Sequence, residues 1–483
     1  MRLFFIGWSG KDMGLTEVVR KLKEQHEIAY WSGDGKEFEP LKPEFPGTIF
    51  HDHFDALHGI PARDIDTSTF SPPEPKLLER LLETESTVLT MMNKRFESVL
   101  VSERKHLYYT QVGYWHGVLT SLRPDAIIFP CAPHTVYDYV IYGLSKLLSI
   151  RCIMFELTVV GARSVVMRDF VVGSRGLKQE IVKRKGKSHV EVSDLPDDIR
   201  DYYIWQSDAK ASHTPPYITE QFNKYAGFRK VPVKFRSAWD TLIVHKDPAV
   251  FLKILTHIPR LFMRNMKTEY RSVETVPDFS KTFIYVPLSF QPERTSSPQG
   301  GVFVDQLLML ETLSASVPKD FLIYVKEHPA QWLHRGPDFF SYRYRGYYEA
   351  IAKLKQVKLL PLNTDTYTLM NHSKAVATVT GTAGFEALFR GKPVLVFGYP
   401  WYQHAPGLFS VESVVTVKNA LTKIVSGFTP SPQDIIEYLW CLGKQSFVGD
   451  CEHYERGTHY LPADENAHIL AAVIETELQK EEL

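Results

Sequence analysis

Short apolar runs alternate along the chain with segments whose apolar residues recur at helical spacing. Near the start, "RLFFIG" reads as a buried strand and "WSGKDMG" as a glycine-containing turn. "LTEVVRKLKEQ" follows as an amphipathic helix and "EIAYWS" as a second strand. Strand, helix and strand in that order make a βαβ unit, from which parallel sheets are built. A second unit runs through "PDAIIFP" (124–130), the helical "HTVYDYVIYGLSKLLS" and the strand "IRCIMFEL". Residues 76–122 between the two units carry a helical pattern.

From 161 to 278 the periodicity weakens. A basic run ("LKQEIVKRKGK"), an acidic patch ("DLPDDIRD") and the mixed stretch "PAVFLKILTHIPRLFMRNMK" suggest helical insertions and a crossing connection. Alternation returns at 282. "TFIYVPLS", "DFLIYVKEH", "VKLLPLN", "AVATVTG" and "PVLVFG" read as strands separated by helices, so a second domain holds at least five parallel strands. The expected fold is α/β, with two doubly wound Rossmann-like domains facing a cleft. The first spans 1–278 and the second 279–430, and a helical segment, 431–483, packs back on the first. This is the sketch of a GT-B glycosyltransferase, but other two-domain α/β proteins share it, so it defines fold and not function.

Length agrees with this division, since 483 residues exceed one ordinary core. Lys and Arg balance Asp and Glu at 56 each, so no global charge points to nucleic acid as a partner. No apolar run approaches the roughly 20 residues that span a bilayer, and "MRLFFIGWSG" lacks the features of a cleaved leader. Four scattered cysteines form neither a disulfide framework nor a zinc-binding pair. The expectation is a reduced, cytoplasmic protein.

Ligands of open α/β sheets sit beyond the carboxyl ends of the strands. In the second domain those ends carry Phe290 to Gly301, then His328-Pro329, Thr380 to Gly384, and Tyr399 to Tyr402. The small residues from Thr380 to Ala383 precede a helix, whose amino end favours an anion such as phosphate. Alternatively Thr382 is an N-cap and Gly381 a tight turn. Glu386, one turn further, either meets ribose hydroxyls or complements the helix dipole. His328 either donates to a phosphate and protonates a leaving group or caps a strand end. Lys326 and Glu327 point to opposite faces of their strand, so only one shares the side of His328.

"QPERTSSPQGGVFVDQ", "YVKEHP" and "TVTGTAGFEALFRGKPVLVFGYPWY" together resemble conserved blocks of bacterial capsule polysaccharide biosynthesis proteins, a group that includes Kdo transferases. The His-Pro pair followed by a Ser/Thr-rich turn is also similar to motifs of bacterial sialyltransferases. That resemblance implies a GT-B cleft for a CMP-activated sugar. His328 and Pro329 would meet the donor phosphate, Thr380, Gly381 and Thr382 would hold it, and Glu386 would reach the ribose. Gln291, Glu293, Gly301 and Lys326 would line the donor pocket, without metal or other cofactor. An acidic motif of the sialyltransferases is absent ("SGDG" at 32–35 is a partial echo), which leaves the donor sugar open.

The acceptor hydroxyl needs a base, and first-domain strand ends supply candidates: His134 and Asp138 after "AIIFP", Glu156 after "CIMF", and Asp12 in the first turn. His134 and Asp138, four apart, share a face if that segment is helical; they then form an oriented base or merely a helix start. The mixed helix with Lys253, Arg260, Arg264 and Lys267 either packs on the core or lies against an anionic membrane surface near a lipid-linked acceptor. Three functions fit: a glycosyltransferase acting on a polysaccharide or lipid-linked glycan, a sugar-nucleotide epimerase or hydrolase, or a non-catalytic assembly partner.

Overall fold

The computed structural model describes residues 1–96, 99–208, 239, 242–243, 266–332, 343–452 and 461–480. Lys253, Arg260 and Arg264 of the mixed helical stretch lie outside the described residues. Among the described residues there are thirteen strands: β1 (Arg2–Phe5), β2 (Glu27–Gly33), β3 (Ile49–Asp52), β4 (Ala126–Phe129), β5 (Arg151–Leu157), β6 (Arg163–Met167), β7 (Phe283–Pro287), β8 (Leu322–Lys326), β9 (Val357–Leu359), β10 (Ala375–Thr378), β11 (Val394–Val396), β12 (Leu408–Ser410) and β13 (Ser446–Val448).

The chain divides into two compact units, Met1–Val182 with Leu442–Leu483, and Lys183–Cys441. The division at 182 falls well before the 278 expected from sequence, and packing explains it. Tyr202, on the helix Asp197–Ser207, stacks on Phe385 at 6.2 Å, and Tyr270, on the helix Met266–Val273, is fully buried in the second unit's core. Beyond Val182, the weakly periodic stretch thus supplies helices to the second unit rather than insertions to the first; before it, the stretch gives β6 to the first sheet.

In the first unit the sheet order is β13-β6-β5-β4-β1-β2-β3, with β1 to β5 parallel and β6 and β13 each antiparallel to its inner neighbour. Its central strands are buried on both faces, which is why they read as near-continuous apolar runs. The C-terminal helix Ala463–Gln479 buries Ala467, Leu470, Ile474 and Leu478 in the same core as Leu15, Val18, Val19 and Leu22 of the first helix. Asn466 Nδ2 donates to Met13 O at 2.8 Å and fixes that contact.

The second unit holds six parallel strands in the order β12-β11-β10-β7-β8-β9. The chain winds outward from β7 to β9, then returns to β10 and winds the other way. The two directions part between β7 and β10, as they part between β1 and β4 in the first unit. At such a switch point the loops diverge and leave a crevice. One face of this sheet, carrying Ile284, Val286, Ile323, Val325, Ala377 and Leu395, forms the main core with the helices Gln306–Ser314, Tyr347–Lys353 and Val414–Val425.

Candidate functional site

The loop leaving β7 is built as a rigid frame. Ser289 and Gln306 exchange two hydrogen bonds, from Ser289 N to Oε1 at 2.7 Å and from Nε2 to Ser289 O at 3.0 Å. Gln291 and Gln331 do the same at 3.0 and 2.9 Å, joining this loop to the one after β8. The Gln291 side chain donates to Val304 O at 2.6 Å and accepts from Arg343. It therefore braces the loop for which the resemblance implied a pocket wall. Glu293 Oε2 accepts from the Thr295 hydroxyl at 3.1 Å, and Gly301 is exposed with φ 54°, a conformation that favours glycine.

Three loops meet at the switch point. Thr380 Oγ1, after β10, donates to Thr295 O of the β7 loop, and Tyr399 N, after β11, donates to Gln299 O at 2.8 Å. A Cβ on Gly398 would lie 2.6 Å from Gln299 O and one on Gly300 would lie 2.4 Å from Ser296 O, so both glycines are there for close backbone approach. The Thr380 hydroxyl is thus committed to holding two loops together. Thr382 opens the helix Thr382–Leu388; its hydroxyl makes no hydrogen bond among the described residues, and no side chain caps the helix at Gly381.

His328 follows β8. Its Nδ1 accepts from Ala330 N at 3.2 Å, so the neutral ring carries its proton on Nε2 and acts as a donor there; the ring lies 5.6 Å from Phe290. Pro329 continues the half-buried turn. Beneath it sits a buried ion pair that sequence reasoning missed. Arg343, 1% exposed, forks onto Glu327, 0% exposed, with Nε to Oε2 at 2.9 Å and Nη2 to Oε1 at 3.0 Å. Glu327 also accepts from His328 N at 2.7 Å and from the Tyr348 hydroxyl at 2.6 Å, and Arg343 donates to Ser289 O at 3.0 Å. The pair ties the β7 loop, the His328 turn and the helix Tyr347–Lys353 into one frame. No spacing rule marked Arg343, which lies in a stretch without clear periodicity.

Lys326 projects from the opposite face. Its Nζ donates to Thr364 O at 2.8 Å and to the Thr366 hydroxyl, and burial lowers its pKa to about 8. It pins the loop after β9 and so does not share the side of His328. Glu386 is 6% exposed; burial raises its pKa to about 7, against the opposing effects of Arg390 and a hydrogen bond from Tyr367. Arg390 Nη1 in turn donates to Glu386 O at 2.7 Å and to Gln206 Oε1 at 3.3 Å.

The first unit places its candidates differently from one another. Asp138 accepts from the backbone N–H groups of His134 at 3.1 Å and Thr135 at 2.7 Å, so it caps the turn instead of orienting the imidazole. His134 itself precedes the helix Tyr137–Leu147, and its Nδ1 lies 3.0 Å from Ala132 O and 3.6 Å from Cys131 Sγ. The shared helical face therefore does not exist. Glu156 lies within β5, buried and paired with Val165 of β6, rather than in a loop beyond the strand. Asp12 is exposed on the short helix Lys11–Met13.

Two doubly wound α/β units, the second with a braced loop cluster at its switch point, define the architectural class. Residues 292–421, which hold that cluster, match the family of capsule polysaccharide biosynthesis proteins. The resemblance carried by the three blocks is thereby shown for this segment. The capsule polysaccharide modification protein LipA of Neisseria meningitidis serogroup B is 37% identical over 71 residues, 15% of this chain and 10% of that protein; its serogroup A counterpart is 35% identical over the same length. The chain thus spans a tenth of the length of the curated relatives it matches. Among solved structures, the β-Kdo 2,7-transferase KpsC of Thermosulfurimonas dismutans aligns over 80% of this chain and 96% of its own at 12% identity and a TM-score of 0.31. The UDP-GlcNAc 2-epimerase of N. meningitidis aligns over 99% and 100% at 12% identity and a TM-score of 0.24. The sheets themselves, and not these low-scoring likenesses, define the fold.

Proposed function

We propose that the protein is a glycosyltransferase that moves a sugar from a nucleotide-activated donor to a surface polysaccharide or glycolipid acceptor in capsule or lipopolysaccharide assembly. A CMP-sugar, such as Kdo or a sialic-acid-like sugar, is the favoured donor. One observation carries this reading: the segment matched by the capsule family coincides with the loops at the switch point of the second sheet. Within that cluster His328 presents a donor Nε2 to the donor phosphate or leaving group, and the helix start at Thr382 offers uncapped N–H groups and a hydroxyl. The acceptor proton goes to a base on the first unit, and no metal ion takes part. No helix among the described residues is long and apolar enough to cross a membrane.

A thermal-shift series with CMP, UDP, GDP and their sugars tests the donor. A ligand that binds only the native state raises its melting temperature, by about 2.7 kcal/mol of stability at a hundredfold excess over Kd. Stabilisation by CMP supports the reading, and stabilisation by UDP or GDP alone reassigns the donor. A protein that responds to none of them is a non-catalytic partner of assembly.

A further inference from the structure

The carboxyl end of the first sheet holds a hydrogen-bonded chain that the sequence did not single out. His53 follows β3 at the start of the helix His53–Leu57, and its Nδ1 lies 3.0 Å from the Tyr137 hydroxyl. That hydroxyl lies 3.2 Å from Ser32 Oγ in β2, and Ser32 Oγ accepts from Gly7 N, after β1, at 2.9 Å. Four successive strand ends around the switch point are therefore joined by one relay. His53 is half-buried, and its Nε2 makes no hydrogen bond among the described residues.

The backbone that delivers Tyr137 is strained. Val136 has φ 74° and ψ −77°, and Tyr137 N donates to Thr135 O at 3.0 Å across it. This is the rare positive-φ γ-turn, here at a β-branched residue. Asp138 holds the turn through the N–H groups of His134 and Thr135. Thr135 Oγ1 is buried without a hydrogen-bond partner among the described residues, a costly state that a ligand hydroxyl would relieve.

We propose that His53 is the catalytic base of the first unit, taking the proton of an acceptor sugar hydroxyl bound between it and the Thr135 turn. The assignment rests on the glycosyl-transfer reading. When Nδ1–H donates to Tyr137 O and the Tyr137 hydroxyl donates to Ser32 Oγ, the lone pair stands on Nε2. Nε2 takes the proton as the acceptor oxygen bonds to the anomeric carbon and the bond from that carbon to the phosphate oxygen breaks. The nucleotide leaves with the electron pair. Burial lowers the pKa of His53, which keeps the ring neutral and ready to accept; the nearby charges are Asp138, Arg95 and Asp52, with His134 also close. Tyr137 is a positioning residue.

The test compares wild type, His53→Asn and Tyr137→Phe. Donor consumption is followed with the CMP-, UDP- and GDP-sugar series and a panel of tagged mono- and disaccharide acceptors. Asparagine keeps an amide where Nδ1 meets Tyr137 and removes the base. Transfer should fall roughly 10²–10⁴-fold with nucleotide-induced stabilisation unchanged. Tyr137→Phe should move the acid limb of the kcat/KM profile to lower pH, a shift that a purely structural role would not produce. His53→Asn that transfers within about threefold of wild type overturns the assignment and leaves glycosyl transfer standing. An unmoved acid limb in Tyr137→Phe does the same, and it decides the matter if His53→Asn fails to fold. Wild-type protein that consumes no nucleotide sugar overturns both.

Discussion

Glu386→Gln should flatten the dependence of stability on pH between 4.5 and 7. The carboxyl is buried among Tyr367, Tyr202 and Tyr402, and burial outweighs Arg390 and the Tyr367 hydrogen bond, raising its pKa from 4.5 to about 7. Below 4.5 it is protonated whether the chain is folded or not, and it costs nothing. As pH rises through the window the unfolded chain ionises and the folded one does not, so stability falls by about 1.4 kcal/mol per pH unit. Above 7 the loss is complete at about 3 kcal/mol. Glutamine still accepts from Tyr367 and has nothing to titrate. Urea unfolding of both proteins from pH 4.5 to 8 isolates the effect as a difference. The variant should match wild type within about 0.5 kcal/mol at pH 4.5 and exceed it by about 3 kcal/mol at pH 8. Parallel curves would show that Glu386 is ionised in the folded protein throughout and would refute the argument from burial.

Arg343→Ala leaves Glu327 charged and buried without its counter-ion, at a cost of about 3–5 kcal/mol. For a unit of this size that lowers the melting temperature by roughly 6–20 °C in calorimetry. Gly398→Ala drives a Cβ to 2.6 Å from Gln299 O; separation of the β7 and β11 loops should cost about 1–3 kcal/mol and weaken nucleotide-induced stabilisation in the thermal-shift assay. His328→Asn should lower transfer roughly 10²–10⁴-fold in the donor-consumption assay while the melting temperature holds; full activity would remove His328 from the chemistry. EDTA should leave the transfer rate of the purified protein unchanged.

The long, buried strands were legible because a strand covered on both faces must be apolar throughout, as in "RLFFI", "AIIF" and "FLIYV". The edge strands β3 and β12 were not, although the edge strand β9 was read within "VKLLPLN". β3 has two apolar residues in "IFHD", and β12 is half-exposed, so neither shows a strand's periodicity. Of the donor-side blocks, the sequence marked the position of each loop but not the work of its side chains. Thr380, Gln291 and Lys326 looked available for a ligand; Thr380 holds two loops together, Gln291 braces the β7 loop, and Lys326 ties the loop after β9 to strand β8.

Local pattern alone therefore determined the two α/β halves, the strand ends that carry polar loops, and the family resemblance of the 284–402 blocks, because each is a property of neighbours along the chain. Tertiary structure decided what neighbours along the chain cannot. It moved the helix bearing Tyr202 into the second unit by stacking it on Phe385, paired Glu327 with Arg343 in the dark of the core, and joined Gly7, Ser32, His53 and Tyr137 into one relay. The physical reason is that burial and hydrogen-bond satisfaction depend on distance in space, and a doubly wound sheet brings strand ends together from more than a hundred residues apart.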